Sequence, residues 1–166
     1  MIPKIFRLLG RVATVLVAAL LACNLYIIGA RVIGGNDHPT ILGWSWAVVI
    51  SGSMEDAIGV NDLVVIHGQE DYAVNDVITF RSAGSIVTHR ILEDRPDSYI
   101  TKGDANNTAD LTPTLKSDVI GKVVLVIPGI GKFIEYLRTP LGMLCLVAVG
   151  FALIEIPYYI QTNRKR

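Results

Sequence analysis

Asp76-Val77-Ile78-Thr79-Phe80-Arg81, a break of Ser82-Ala83-Gly84-Ser85, then Ile86-Val87-Thr88-His89-Arg90-Ile91-Leu92: this stretch decides the fold class. Both runs are rich in valine, isoleucine, threonine and aromatics, and turn-forming residues separate them. They read as two strands. The same punctuation continues outward. Asp62-Leu63-Val64-Val65-Ile66-His67 ends at Gly68, Ser98-Tyr99-Ile100-Thr101-Lys102 is a short run, and residues 119–127 form another that stops at Pro128-Gly129. No stretch between residues 60 and 128 has a helical period. The expectation is a mainly β fold, with an all-β middle domain built as a sandwich or a partly closed barrel.

The flanks are different. Residues 12–30 are 19 positions without a charge, Asn24 being the main polar exception. Residues 140–160 are 21 positions with one acid, Glu155, near the far end. Each is about as long as a helix needs to cross a hydrocarbon core of roughly 30 Å. Lys4, Arg7 and Arg11 lie outside the first run, and Arg164, Lys165 and Arg166 outside the second. Positive charge stays cytoplasmic. The expected layout is a basic cytoplasmic N-terminus (1–11), a first span (12–30), an extracytoplasmic β-rich domain (31–139), a second span (140–160) and a basic cytoplasmic tail (161–166). The localisation that follows is the cell membrane, with both termini inside and the lipid bilayer as a partner. Tyr26, Tyr158 and Tyr159 sit where interfacial aromatics belong, and Glu155 is close enough to the cytoplasmic end to reach the interface.

Two plainer readings compete. The first run has the basic start and apolar centre of a removable leader, and Leu20-Leu21-Ala22-Cys23 resembles a poor lipoprotein-cleavage box, but the run continues beyond a usual leader core to Ala30. The second run could be a buried hairpin of a soluble core, against which the terminal Arg-Lys-Arg argues. Residues 40–50, with Trp44 and Trp46, are too short to span and suggest an interfacial segment or a strand entering the domain from the membrane surface. Residues 129–138 are expected to rest on the membrane in the same way.

Charge and cysteine content exclude several classes. The 166-residue chain has no net charge, but residues 32–139 hold 14 acidic against 8 basic residues. No basic face for nucleic acid is present. Cys23 and Cys145 both lie in apolar runs, so no disulfide framework follows. No glycine-rich phosphate loop leads from strand to helix, and no Cys/His set has zinc spacing. The polar loop Gly103-Asp104-Ala105-Asn106-Asn107-Thr108-Ala109-Asp110 is rich in oxygen ligands but lacks the spacing of a calcium loop. Neither a metal nor another cofactor is expected.

A serine, a histidine and two aspartates remain, in order and each in a distinctive setting. Ser53, in Ser51-Gly52-Ser53-Met54-Glu55, follows an apolar run and is expected in a turn with its hydroxyl exposed. A hydroxyl is a weak nucleophile and needs a base. Ser51 and the Ser53 backbone N–H are the expected donors to an oxyanion. Small polar turns also use Ser-Gly-Ser with no chemistry at all. In the run 86–92, alternation places Val87, His89 and Ile91 on one face. A sheltered histidine is commonly a hydrogen-bonded core residue, and it is also what a general base requires. His38, before Pro39, and His67, beside Gly68, are expected to be solvated. Asp104 or Asp110 could hold the imidazole in one tautomer, or both could simply cap turns; residue types alone do not choose. Set between two spans, this group suggests a hydrolase working at a membrane surface.

The boxes Ser51-Gly52-Ser53-Met54-Glu55, Asn61-Asp62-Leu63-Val64-Val65, Asp76-Val77-Ile78-Thr79-Phe80, Val87-Thr88-His89-Arg90 and Thr101-Lys102-Gly103-Asp104 with Asp110 together resemble the type I signal peptidases, over roughly residues 45–130. His89-Arg90 stands where the bacterial housekeeping enzymes carry a lysine, so the chain looks like the endoplasmic-reticulum and archaeal branch, also found in Gram-positive bacteria. The resemblance implies a membrane-bound serine endopeptidase that cleaves signal peptides from exported precursor proteins. It implies Ser53 as nucleophile, His89 as general base, Asp110 as the family's essential aspartate and Asp104 as the neighbouring Gly-Asp aspartate. Ser51 takes the place of the small residue credited with an oxyanion role. The substrate would bind as an added β-strand with small side chains before the cut, and there is room for membrane partner subunits. Two positions depart from the family pattern: Asp56 replaces a usual proline, and Asn61 replaces a usual glycine, a change eased by asparagine's tolerance of left-handed backbone. A non-catalytic anchored β-module, or a Ser/Lys protease using Lys102, are the alternatives.

Overall fold

A computed structural model describes residues 4–33 and 40–163, with side chains for 11–30, 33 and 40–153. The stretch around His38 lies outside these residues, as do the terminal Arg164, Lys165 and Arg166 and the side chains of Glu155, Tyr158 and Tyr159. The chain divides into two compact units, residues 40–134 and the two flanks together.

Residues 40–134 form one antiparallel sheet of seven strands: β1 Trp44–Val48, β2 Leu63–His67, β3 Val77–Ser82, β4 Ser85–Asp94, β5 Ser98–Lys102, β6 Thr114–Leu115 and β7 Val119–Ile127. Their order is β1-β2-β7-β3-β4-β5-β6, so β7 returns from the far side to lie between β2 and β3. The expected β-rich domain is present, as a single connected sheet and not as two separately paired ones. The five strands read from valine, isoleucine and aromatic runs all form. Residues 40–50 supply an edge strand, β1. The two-residue β6 and the short 3₁₀ turn Lys116–Asp118 that leads into β7 have no apolar pattern to announce them.

Local chemistry explains the connections. Ala83 and Gly84 both have positive φ, 47° and 77°, between β3 and β4. Two left-handed central residues match the twist of the flanking strands, which is why a tight hairpin forms here. Asn61 has φ 70°, the left-handed conformation its position demands. Register shifts at Val65/Ile66, Thr79/Phe80 and Ile91/Glu93 curl the sheet. Two apolar clusters fill it. Met54, Ile58, Val64, Ile66 and Ile120 form one, and Tyr72, Ile78, Phe80, Ile91 and Tyr99 the other.

The flanking unit holds α1, Lys4–Val32, packed against α3, Pro140–Asn163. Within α1, Arg11–Ala30 is 20 residues with mean hydropathy 2.3, long and apolar enough to cross a membrane. Asn24, its polar exception, donates its side-chain N–H to the carbonyl of Leu20 one turn back, at 2.9 Å, so the amide finds a partner inside the helix. Thr139 opens α3: its hydroxyl accepts the Gly142 N–H at 3.0 Å, and Pro140 takes the first helical position, where a missing N–H costs nothing. A second span does not stand on its own among the described residues. α2, Gly131–Arg138, and the stretch Pro140–Leu153 reach the required length and apolarity only when taken together, and they bend by 86° at the break between them.

Candidate active site

Ser53 lies in the turns that follow β1. The Glu55 N–H bonds the Gly52 carbonyl at 3.0 Å and the Ile58 N–H bonds that of Met54 at 2.8 Å. Met54, the next residue, is only 2% exposed and belongs to the first apolar cluster. Burying one neighbour in the core fixes the other at the surface of the turn, and Ser53 is accordingly half-buried. Its hydroxyl lies 3.3 Å from that of Ser51, which is exposed.

His89 sits near the middle of β4 and is 7% exposed. Alternation along β4 buries His89 and Ile91 as the sequence implies. The Phe80 ring meets the imidazole edge-on at 6.3 Å between centroids, which limits its rotation. Nδ1 lies 2.7 Å from Oδ2 of Asp110. An ionised carboxylate only accepts, so Nδ1 carries the proton, and in a neutral imidazole Nε2 is then the acceptor. The same Oδ2 accepts the Thr101 hydroxyl at 2.6 Å, and the Asp110 N–H bonds the Thr101 carbonyl at 2.8 Å.

Asp104 has another partner. Arg90 forks onto it, Nε to Oδ1 at 2.9 Å and Nη2 to Oδ2 at 2.5 Å, while Nη1 donates to the Asn75 carbonyl at 2.9 Å. Hydrogen bonding from the Arg90 guanidinium holds the Asp104 carboxyl below the usual carboxylate range against the opposing pull of burial, and Asp104 in turn raises Arg90. Consecutive residues on the two faces of β4 therefore hold the two aspartates of one loop: His89 takes Asp110, and Arg90 takes Asp104.

That loop also reaches the serine. The Ala105 N–H donates to the Ser53 carbonyl at 3.0 Å, and the Asp104 N–H points at the Met54 sulfur at 3.4 Å. Gly103 passes so close that a Cβ there would lie 2.4 Å from the Ser53 carbonyl oxygen. All four expected residues thus belong to one connected set: Ser53 to the loop, and the loop to His89 through Asp110 and to Arg90 through Asp104. Lys102 lies opposite Arg90 across β4 and β5, and its charge adds to the lowering of the Asp104 carboxyl. Successive residues of a strand face opposite sides, so Lys102 points away from the face on which Thr101 meets Asp110.

Arg90, Thr101 and Met54 are contributors that residue patterns alone did not mark. Thr101 had a signal. It lies two positions after Tyr99 in a strand whose face is buried, and a hydroxyl there needs a partner.

No family model matches the chain. Curated proteins do. Signal peptidase I W of Bacillus subtilis is 31% identical over 122 residues, which is 68% of this chain and 63% of that protein. By sequence the chain is a homologue of the type I signal peptidases. The signal peptidase complex catalytic subunit SEC11 of Scheffersomyces stipitis is 28% identical over 134 residues, 67% of this chain and 77% of that subunit. SEC11 of Leptosphaeria maculans is 32% identical over 120 residues, 62% of this chain and 65% of that subunit. These relatives set this signal peptidase homologue in the branch shared by the endoplasmic-reticulum subunits and a Gram-positive enzyme. The match spans under two thirds of the Bacillus and Leptosphaeria proteins.

Proposed function

We propose that this protein is a membrane-anchored serine endopeptidase that cleaves N-terminal signal peptides from exported precursors on the extracytoplasmic side. Ser53 attacks the scissile carbonyl. His89 takes its proton at Nε2 and returns it to the leaving amine. Asp110 holds the imidazole in the Nδ1–H tautomer and stabilises the imidazolium. Ser51 and the Ser53 N–H receive the developing oxyanion. Asp104, clamped by Arg90, holds the loop that carries Asp110 against Ser53. Water then releases the acyl-enzyme, and no cofactor takes part.

The observation that carries this reading is the 2.7 Å contact between His89 Nδ1 and Asp110 Oδ2, in a loop bonded to the Ser53 carbonyl. Both termini lie in the cytoplasm, α1 and a segment ending in α3 anchor the domain, and the bilayer delivers the end of a signal peptide's apolar helix. The extended peptide adds to the sheet as a strand. SEC11 is by name a subunit of a complex, and this chain takes membrane subunits as partners in the same way. The test is to incubate the detergent-solubilised full chain with a signal-peptide-bearing precursor and to determine the product's N-terminus. One cut after a small residue beyond the apolar core supports the reading. An uncut precursor panel rejects it.

A further inference from the structure

Thr101 is fully buried and Thr114 is 5% exposed. Two buried hydroxyls on β5 and β6 need partners, and their bonds run in one direction. Thr101 has a single hydroxyl proton. Asp110 Oδ2, 2.6 Å away, only accepts, so the Thr101 proton goes there. The Thr101 and Thr114 oxygens are 3.2 Å apart, and with the Thr101 proton committed, Thr114 must be the donor between them. The result is a chain from Thr114 to Thr101 to Asp110, met from the other side by His89 Nδ1.

We propose that Thr101 is a positioning residue for the base, completed by Thr114; the idea rests on the peptidase reading for its catalytic consequence. A carboxylate in a loop can rotate or take water. Here one oxygen of Asp110 is held by two donors, from β4 and β5, while the Asp110 N–H bonds the Thr101 carbonyl. β5 pairs with β4 through Ile91 and Thr101 and with β6 through Tyr99 and Thr114, so the sheet itself sets the spacing of imidazole, hydroxyl and carboxylate. With Oδ2 fixed, the Nδ1–H tautomer is favoured before substrate arrives and Nε2 stays free as the base. A hydroxyl donated to a charged acceptor, here the half-buried Asp110 carboxylate, is stronger than a neutral bond.

The test compares wild type with Thr101→Val, Thr101→Ser and Thr101→Ala in the full chain in detergent. Cleavage kinetics are read on a precursor peptide, and tautomers from nitrogen NMR of ¹⁵N-histidine-labelled protein. The chain has three histidines, and His89 is assigned by its loss in His89→Ala. Thr101→Val keeps the shape and deletes the donor. It is expected to lower kcat about tenfold or more with KM little changed, and to mix the Nε2–H tautomer into a signal that is Nδ1–H in wild type. Thr101→Ser is expected to restore both. Unchanged kcat and an unchanged Nδ1–H signal in Thr101→Val would overturn the proposal while leaving the peptidase reading intact. If wild type itself cuts nothing, the peptidase reading fails, and the NMR comparison alone still decides whether Thr101 sets the tautomer. If Thr101→Val does not fold, Thr101→Ala, which also deletes the donor to Asp110, carries the same test, and an unchanged tautomer and rate there would overturn the proposal.

Discussion

Gly103 and Ser53 are in backbone contact: a side-chain carbon on Gly103 would sit 2.4 Å from the Ser53 carbonyl oxygen. A distance that short cannot be relaxed by a rotamer change, because the opposing atom is backbone. Gly103→Ala should therefore push the 103–110 loop off the serine turn. A loss of about 1–3 kcal/mol in stability is expected from the forced shift. Activity should fall further than stability accounts for, as the Ala105–Ser53 bond breaks with it. Denaturation midpoints and cleavage rates at a permissive temperature check this together.

The two aspartates should separate by function. Asp110→Asn replaces an acceptor facing Nδ1 with an amide that can present its donor, favouring the wrong imidazole tautomer. A fall in kcat of about 10²–10⁴ is expected with the fold retained. Asp104→Asn removes the fork from Arg90 and leaves a guanidinium that is 30% exposed without its charge partner. The expected result is mainly lost stability, about 1–3 kcal/mol. Thermal melts beside kinetics on both variants decide it.

The Arg90–Asp104 pair also sets a pH dependence. The folded-state pKa of Asp104 lies below its ordinary value. The pair's stabilisation is thus fully present above the ordinary carboxylate value, near pH 4, and is lost as pH falls through the lower folded value. Asp76 behaves alike. Burial alone would raise it, but its bond to Lys122 at 2.5 Å and the Ala73 N–H bring it down. Melting temperature is expected to be insensitive to these pairs from pH 5 to 8 and to drop below about pH 4, with a shallower acid drop in Asp104→Asn.

Asp56 offers a check on the serine turn. Its φ is 79°, which a proline ring cannot adopt. The proline usual in the family at this position would force the turn into another conformation. Asp56→Pro should be destabilising by about 2 kcal/mol or more, and Asp56→Gly neutral or slightly stabilising, as read from chemical denaturation.

Much of this was legible in the residues. Val77 to Phe80 and Val87 to Ile91 announce strands because alternation and β-branching act locally, and His89 falls on the buried face for the same reason. The short β6 was not legible, since Thr114 and Leu115 pair with β5 only through tertiary context. The split between the aspartates was hidden too. Asp104 and Asp110 share one polar loop, and only the fold reveals that β4 presents Arg90 to the first and His89 to the second. Thr101 sits in an ordinary strand run, and only the fold brings the Asp110 carboxylate and the Thr114 hydroxyl to it. The run read as a second span, residues 140–160, lies within α3, Pro140–Asn163, whose described side chains end at residue 153.

The most direct measurement is cleavage of one precursor by wild type, Ser53→Ala and His89→Ala in parallel, in detergent, with product masses recorded. The account expects a single mature product from wild type and a loss of about 10³-fold or more in both variants. Undiminished cleavage by His89→Ala would contradict it, because no base would then be acting from β4.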